Sequence, residues 1–242
     1  MDSFKEQNKP TVSVFRSENK YWISQEDALA LREKLDRVLT RDIHGEARGY
    51  LVRSLYFDSI ENQDFNLKLA GVEKRKKIRI RTYSADADKC KLEVKQKNGD
   101  LQHKISLWIT GEEALELSRG NYSVLTRYFD QSQDAVSIYT AMVMGHYMPV
   151  VLVEYDRIAY THPLYNTRIT LDMHLRSSES NFDLFSKEPI YTPQMLESHV
   201  LEVKYNEKLL IFLSEILKSF HLTKCSVSKY CISRKLFYDF NF

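Results

Sequence analysis

The stretch KKIRIRTY at residues 76–83, followed by KLEVKQK at residues 91–97, decides how this chain folds. Arg79 and Arg81 stand two apart beside Ile78 and Ile80, and Glu93, Lys95 and Lys97 alternate with Leu92 and Val94. Strand side chains alternate between the faces of a sheet, so each run sends its charges to one side and its aliphatic residues to the other. The same spacing recurs in Arg16/Glu18/Lys20 and in Glu202/Lys204, and Arg168/Asp172, four apart, keeps the same alternation. A single run of this kind is an ordinary solvated face, since antiparallel sheets commonly present one charged side. Five runs in one chain read instead as the lining of a water-filled tunnel built for a polyanion and a metal ion.

Outward from that stretch, residues 1–10 form a loose tail and Val12 to Ile23 the first strand. Ser24 is placed to cap a helix carrying Ala28, Leu31, Leu35, Val38 and Leu39 at helical spacing. Tyr50 to Asp58 reads as a strand and Asn62 to Leu69 as a short helix. Asn98-Gly99-Asp100 makes a hairpin between Lys91–Lys97 and Leu101–Ile109. Helical patterns follow at Glu112–Leu117, Val124–Phe129 and Ala135–Met144. Strand patterns return at Val150–Tyr160, Thr167–His174 and, after a polar loop from Arg176 to Glu197, at Val200–Tyr205. Helices near Lys208–Ser219 and Ser228–Phe240 close the chain. The expected fold class is α+β: an eight-stranded antiparallel β-barrel forming a tunnel with a polar, charged interior, and helices packed on its outside. Residues 11–242 are expected to form one domain.

Bulk properties narrow the function. A chain of 242 residues with 43% hydrophobic residues, only 7 Gly and 5 Pro is not disordered or collagen-like. A net charge of +2 means that basic surface comes from segregating charge, which argues against bulk nucleic-acid binding. Cys90, Cys225 and Cys231 make no CxxC pair, the pattern of free thiols in a reducing cytoplasm. The polar start MDSFKEQNKP has no signal-like apolar region. The weakly charged stretch Ala135 to Val153 is interrupted by Gly145, His146 and Pro149, so a buried helix followed by a strand fits it better than a membrane span. GxxxxGK[ST], GxGxxG and GxSxG motifs are absent, which leaves phosphate recognition to side chains.

Cations gathered on one face need compensation. Two of them about 4 Å apart cost roughly 4 kcal/mol at an effective dielectric of about 20, so carboxylates, water or a bound anion must offset them. Arg79 and Arg81 offer forks that match phosphate oxygens, while Lys20, Lys95, Lys104 and Lys229 act as point charges. Glu18, Glu93 and Glu202 are hard oxygen ligands suited to Mg²⁺ or Mn²⁺. Ser228 either caps the last helix or, beside Lys229, makes an anion site at its N-terminus.

The blocks FRSENKYWI, SLYFD, KKIRIRTY, KLEVKQK, EYDRIAY, RITLD, LEVKY and SKY, in this order, resemble the polyphosphate polymerase domain of the vacuolar transporter chaperone family, a branch of the triphosphate tunnel metalloenzymes. The resemblance implies an eight-stranded tunnel in which the γ-phosphoryl of ATP passes to a growing polyphosphate chain. It implies catalytic roles for Lys20, Arg79 and Arg81, with Lys95 and Lys104 on the phosphate path. Tyr155 and Arg157 match an inward pair, Arg168 a phosphate clamp, and Ser228 and Lys229 a tunnel mouth; Arg16 joins the substrate-binding set. Glu202, with Glu18 and Glu93, would hold the metal. Arg16 stands where the wider superfamily's ExExK motif has its first glutamate, which favours the polymerase branch. Ser226 stands where the polymerase pattern has a lysine, with Lys224 nearby, which bears on grip of the polymer. The implied partners are ATP, polyphosphate and a membrane protein, with no transmembrane segment in the chain itself and a cytoplasmic location. A metal-dependent triphosphatase and a non-catalytic polyphosphate-binding module are the alternatives.

Overall fold

The computed structural model describes residues 16–42, 49–99, 101–194 and 197–238. Its elements run β1 (Arg16–Ser24), α1 (Gln25–Asp36), β2 (Thr40–Arg41), β3 (Tyr50–Asp58), α2 (Gln63–Leu69), β4 (Arg75–Thr82), β5 (Lys89–Asn98) and β6 (Leu101–Thr110). They continue with α3 (Gly111–Ser118), α4 (Gln133–Met144), β7 (Met148–His162), β8 (Thr167–Ser178), β9 (Thr192–Pro193), β10 (Ser198–Asn206), α5 (Ile211–Lys218), β11 (Thr223–Cys225) and α6 (Lys229–Tyr238). Short 3₁₀ turns at Tyr122–Tyr128 and Leu164–Asn166 complete the list.

The strands form one antiparallel sheet in the order β11-β1-β10-β8-β7-β3-β4-β5-β6, with β2 on β7 and β9 on β8. The fold is α+β, as expected. The barrel is not closed by hydrogen bonds among the described residues, because β11 and β6 remain the ends of the path. The sheet nevertheless curls: Lys95 on β5 lies 3.8 Å from Glu18 on β1, an ion pair between strands near its opposite margins. Charge pairing therefore joins the two margins where backbone pairing does not.

The convex side is apolar in two patches. Leu55, Ile78, Ile80, Leu92, Val94 and Ile105 pack under α3 and α4, and Ile23, Ile158, Ile169, Leu171, Leu201 and Val203 under α1 and α5. Local chemistry sets the ends of these helices. Ser24 caps α1 by accepting the Asp27 N–H at 3.1 Å, and Thr110 and Glu113 form a reciprocal capping box on α3. The α1 helix stops at Asp36, so Val38 and Leu39 lie beyond it, Val38 exposed and Leu39 buried. The expected start of β1 at Val12 lies outside the described residues. Gly99, with φ +59°, turns the β5–β6 hairpin, in which Asn98 faces Leu101.

Two corrections concern the charged side. Helices were expected only outside, yet α6 packs onto the concave face, where Tyr230 and Cys231 join Val52, Tyr56, Val153, Tyr155 and Phe65 in a third cluster. The interior is thus polar over part of its length and apolar where α6 fills it. Strand β8 also runs past His174 to Ser178. His174 has φ +51° beside a register shift against β7, so the bulge resets the alternation that marked the strand.

Candidate functional site

Register carries the charged runs to shared positions on the concave face. On β1 and β10, Lys20 faces Glu202 and Glu18 faces Lys204. Lys20 Nζ lies 3.2 Å from Glu18 and 3.5 Å from Glu202, while Lys204 pairs with Glu202 and stands 3.7 Å from Glu18. Burial favours the neutral acid at Glu202, but Lys204 and Lys20 outweigh it and hold its pKa down at about 2. Burial likewise disfavours charge on Lys20, and Glu202 and Glu18 more than restore it, so its pKa is raised.

A second cluster spans β3 to β6 around Glu93, whose side chain is almost fully buried. Arg79 Nε donates to Glu93 at 2.9 Å, Arg81 lies 3.5 Å away, and Lys104 reaches it from β6 at 2.5 Å. These cations overcome burial and hold Glu93 at about 2. Arg79 also donates to the Tyr56 hydroxyl at 3.0 Å, and Arg81 Nε is buried with no hydrogen-bond partner among the described residues.

A third cluster lies where β7, β8 and α6 meet. Arg157 grips both oxygens of Asp172 at 2.6 and 2.8 Å, Lys229 donates to the same carboxylate at 2.5 Å, and both cations sit over the Tyr155 ring. Burial works against the Asp172 charge, yet the two cations keep its pKa well below the usual range. Tyr155, Arg157 and Lys229 are therefore brought together as their strand and helix phases suggest. The carboxylate that organises them, Asp172, was visible in the Arg168/Asp172 run but not assigned to the site.

Other candidates stand apart. Arg168 donates to Asp42 at 2.6 Å. Arg16 opens β1 opposite Asn206, and its side chain lies outside the described residues. Ser228 Oγ accepts from Lys77 Nζ at 2.6 Å and from the Cys231 N–H at 3.3 Å. Neither Lys77 nor Lys204 was singled out from sequence. Lys204 belongs to the recorded Glu202/Lys204 run, and Lys77 keeps the Arg79/Arg81 period inside KKIRIRTY.

Beside the first cluster opens a cavity of about 290 Å³. Eight of its fifteen lining residues are Lys or Arg, Lys20, Lys77 and Lys95 among them, and one, Glu18, is acidic. Such a space favours a polyanion of several charges.

No three His, Cys, Asp or Glu side chains converge on a metal position among the described residues. Glu93 is apart from the other two glutamates and already surrounded by cations. Glu18 and Glu202 share Lys20 and Lys204, and so form a two-carboxylate pair. That donor set fits Mg²⁺ or Mn²⁺ of the kind completed by substrate phosphates and water, not one caged by protein alone.

The family model described as the VTC domain matches residues 15–238. No curated protein is a significant match to the sequence. Among solved structures, a Bacillus halodurans protein with a provisional adenylate cyclase name is similar at a TM-score of 0.53 and 16% identity, covering 88% of this chain and 94% of its own. A Hippeastrum protein with a provisional adenylyl cyclase name, described as having a dominant triphosphatase activity, is similar at a TM-score of 0.55 and 16% identity, covering 90% of this chain and 94% of its own. At that identity the likeness is one of fold alone.

Proposed function

The chain belongs to the VTC domain family, and from that premise we propose that it is a metal-dependent polyphosphate polymerase, which transfers the γ-phosphoryl of ATP to a growing polyphosphate chain. The observation that carries the reading is the cavity with eight cationic lining residues and one carboxylate, among them Lys20 and Lys95, which Glu18 and Glu202 hold in place.

Phosphoryl transfer asks for in-line placement and for neutralisation of charge on the equatorial and leaving oxygens. In this reading Lys20, Arg79 and Arg81 hold the reacting triphosphate. The buried Arg81 Nε, lacking a hydrogen-bond partner among the described residues, is a donor that a phosphate oxygen would satisfy. Lys95 and Lys104 line the phosphate path, and Arg157 and Lys229, fixed by Asp172, present a preorganised cationic wall. Glu18 and Glu202 would hold Mn²⁺ or Mg²⁺, whose chemistry is to neutralise phosphate charge. The terminal oxygen of the acceptor chain attacks the γ-phosphorus, the bond to the β-phosphate oxygen breaks, and ADP leaves. Arg16 and Arg168 complete the proposed substrate-binding set.

A second reading, metal-dependent hydrolysis of triphosphate with water as acceptor, is favoured by the activity described for the Hippeastrum protein of the same fold. The test is incubation with ATP and Mn²⁺, with and without a short polyphosphate primer, with products resolved on a gel beside Glu202→Gln. A metal-dependent ladder that the variant loses is the expected result. Free phosphate without a ladder moves the reading to the triphosphatase, and polyphosphate binding without turnover moves it to a binding module.

A further inference from the structure

Lys77, Lys95 and Lys104 stand directly opposite one another on β4, β5 and β6. Like charges in opposed positions on neighbouring strands repel, so each needs a counter-charge. Lys104 has Glu93 at 2.5 Å and Lys95 has Glu18 at 3.8 Å. Lys77 has no carboxylate at ion-pair distance among the described residues. Its ammonium donates to Ser228 Oγ at 2.6 Å, from a position lining the basic cavity beside Lys20 and Lys68. Burial, with the charges of Lys20 and Lys68, lowers its pKa to about 8.

Ser228 is poised in a complementary way. Its oxygen accepts from Lys77 and from the Cys231 N–H, and its own hydroxyl proton donates to no acceptor among the described residues. It stands one residue before α6, a ten-residue helix whose first N–H groups have no intrahelical acceptors. Ammonium, hydroxyl and helix N-terminus thus converge on one side of the cavity; its one lining carboxylate, Glu18, is engaged by Lys20, Lys95 and Lys204, and no carboxylate pairs with Lys77 among the described residues.

We propose that Lys77 and Ser228 form a phosphate-binding subsite that takes one phosphoryl group of a linear polyphosphate lying across β4 and β5. The inference rests on the polyphosphate reading of the cavity and adds a residue outside the Lys20, Arg79 and Arg81 set. It also gives the cavity a cation beside Ser226, the position where no lysine stands.

The test is calorimetric titration with inorganic tripolyphosphate, without nucleotide or metal and at fixed ionic strength, on the parent, Lys77→Met, Lys77→Arg and Ser228→Ala. Lys77→Met is expected to bind at least tenfold more weakly, Ser228→Ala about threefold, and Lys77→Arg within about threefold of the parent. Ligand-free Lys77→Met should melt at the same temperature as the parent or higher, because it removes a partly buried charge without stranding a partner; a merely structural lysine would lower it. Tripolyphosphate affinity in Lys77→Met within twofold of the parent overturns the subsite. If Lys77→Met does not fold, Ser228→Ala decides, an unchanged affinity overturning the proposal. A parent that binds no tripolyphosphate overturns the polyphosphate reading itself, a result distinct from binding that ignores Lys77.

Discussion

Two neighbouring residues at the start of α6 meet opposite environments. Lys229 is locked onto Asp172, which also grips Arg157, so two cations share one fully buried carboxylate. One residue earlier, Ser228 receives Lys77, a cation with no carboxylate at ion-pair distance among the described residues. The shifts diverge accordingly: Asp172 is held well below the usual carboxylate range, whereas Lys77 is lowered to about 8 by burial. The contrast teaches that the concave face contains two kinds of cation. Those with carboxylates are held in position by the fold, and those without, such as Lys77, are the ones that the proposed ligand would neutralise.

The comparison is broken most severely at Asp172. Asp172→Ala leaves Arg157 and Lys229 crowded over Tyr155 without an anion, and breaking a buried pair in this way costs about 3–5 kcal/mol. Urea unfolding should show that loss at pH 7, opposite in sign to the unchanged or raised stability expected of Lys77→Met; equal stability of the two variants would erase the distinction between the two environments.

The Glu93 cluster sharpens the contrast through pH. The folded pKa of Glu93, about 2, lies below its ordinary value near 4.5. Its stabilisation is therefore complete above about pH 4.5 and is lost as pH falls toward 2. Glu93→Gln should lower stability at pH 7 by about 1.5–3 kcal/mol, the range for hydrogen bonds to charged groups. It should also make the decline between pH 4.5 and 2 shallower. A decline as steep as the parent's would mean that other carboxylates carry the acid sensitivity.

The smallest effect concerns the attachment of α6 itself. Tyr230 donates to Asp58 at 2.5 Å and stacks on Tyr56, and Asp58 also accepts the N–H groups of Ser59, Asp64 and Phe65. Tyr230→Phe removes one of four donors and keeps the ring, so about 1 kcal/mol should be lost. Amide exchange should accelerate in α6 and leave α1 unchanged; uniform acceleration would mean that the hydroxyl does not anchor this helix locally.

Much of this arrangement was legible from residues. The span Tyr50–Asp58 and the hairpin through Gly99 have their expected places because two-residue alternation and turn chemistry are local signals. The convex aliphatic face follows from the same alternation. The continuation of β8 was hidden by the His174 bulge, which reverses the phase that a reader follows. The concave position of α6 was hidden because its apolar face reads the same whether it packs inside the curl or outside it. Lys204 and Asp172 carried the correct period but no distinguishing chemistry until their partners were known.

By itself the sequence determined the strand phases, and with them which charges share a face, because side-chain alternation is built into the extended backbone. It also determined the helix ends at Ser24 and Thr110, where the capping groups lie within three residues of what they cap. Only the tertiary structure decided which cation owns which carboxylate. Lys95 meets Glu18, Lys229 meets Asp172 and Lys77 meets Ser228 across separations of 57 residues or more, through the curl of the sheet and the docking of α6. Pairing at that range depends on distances of a few ångströms set by packing, and no local period of the chain encodes them.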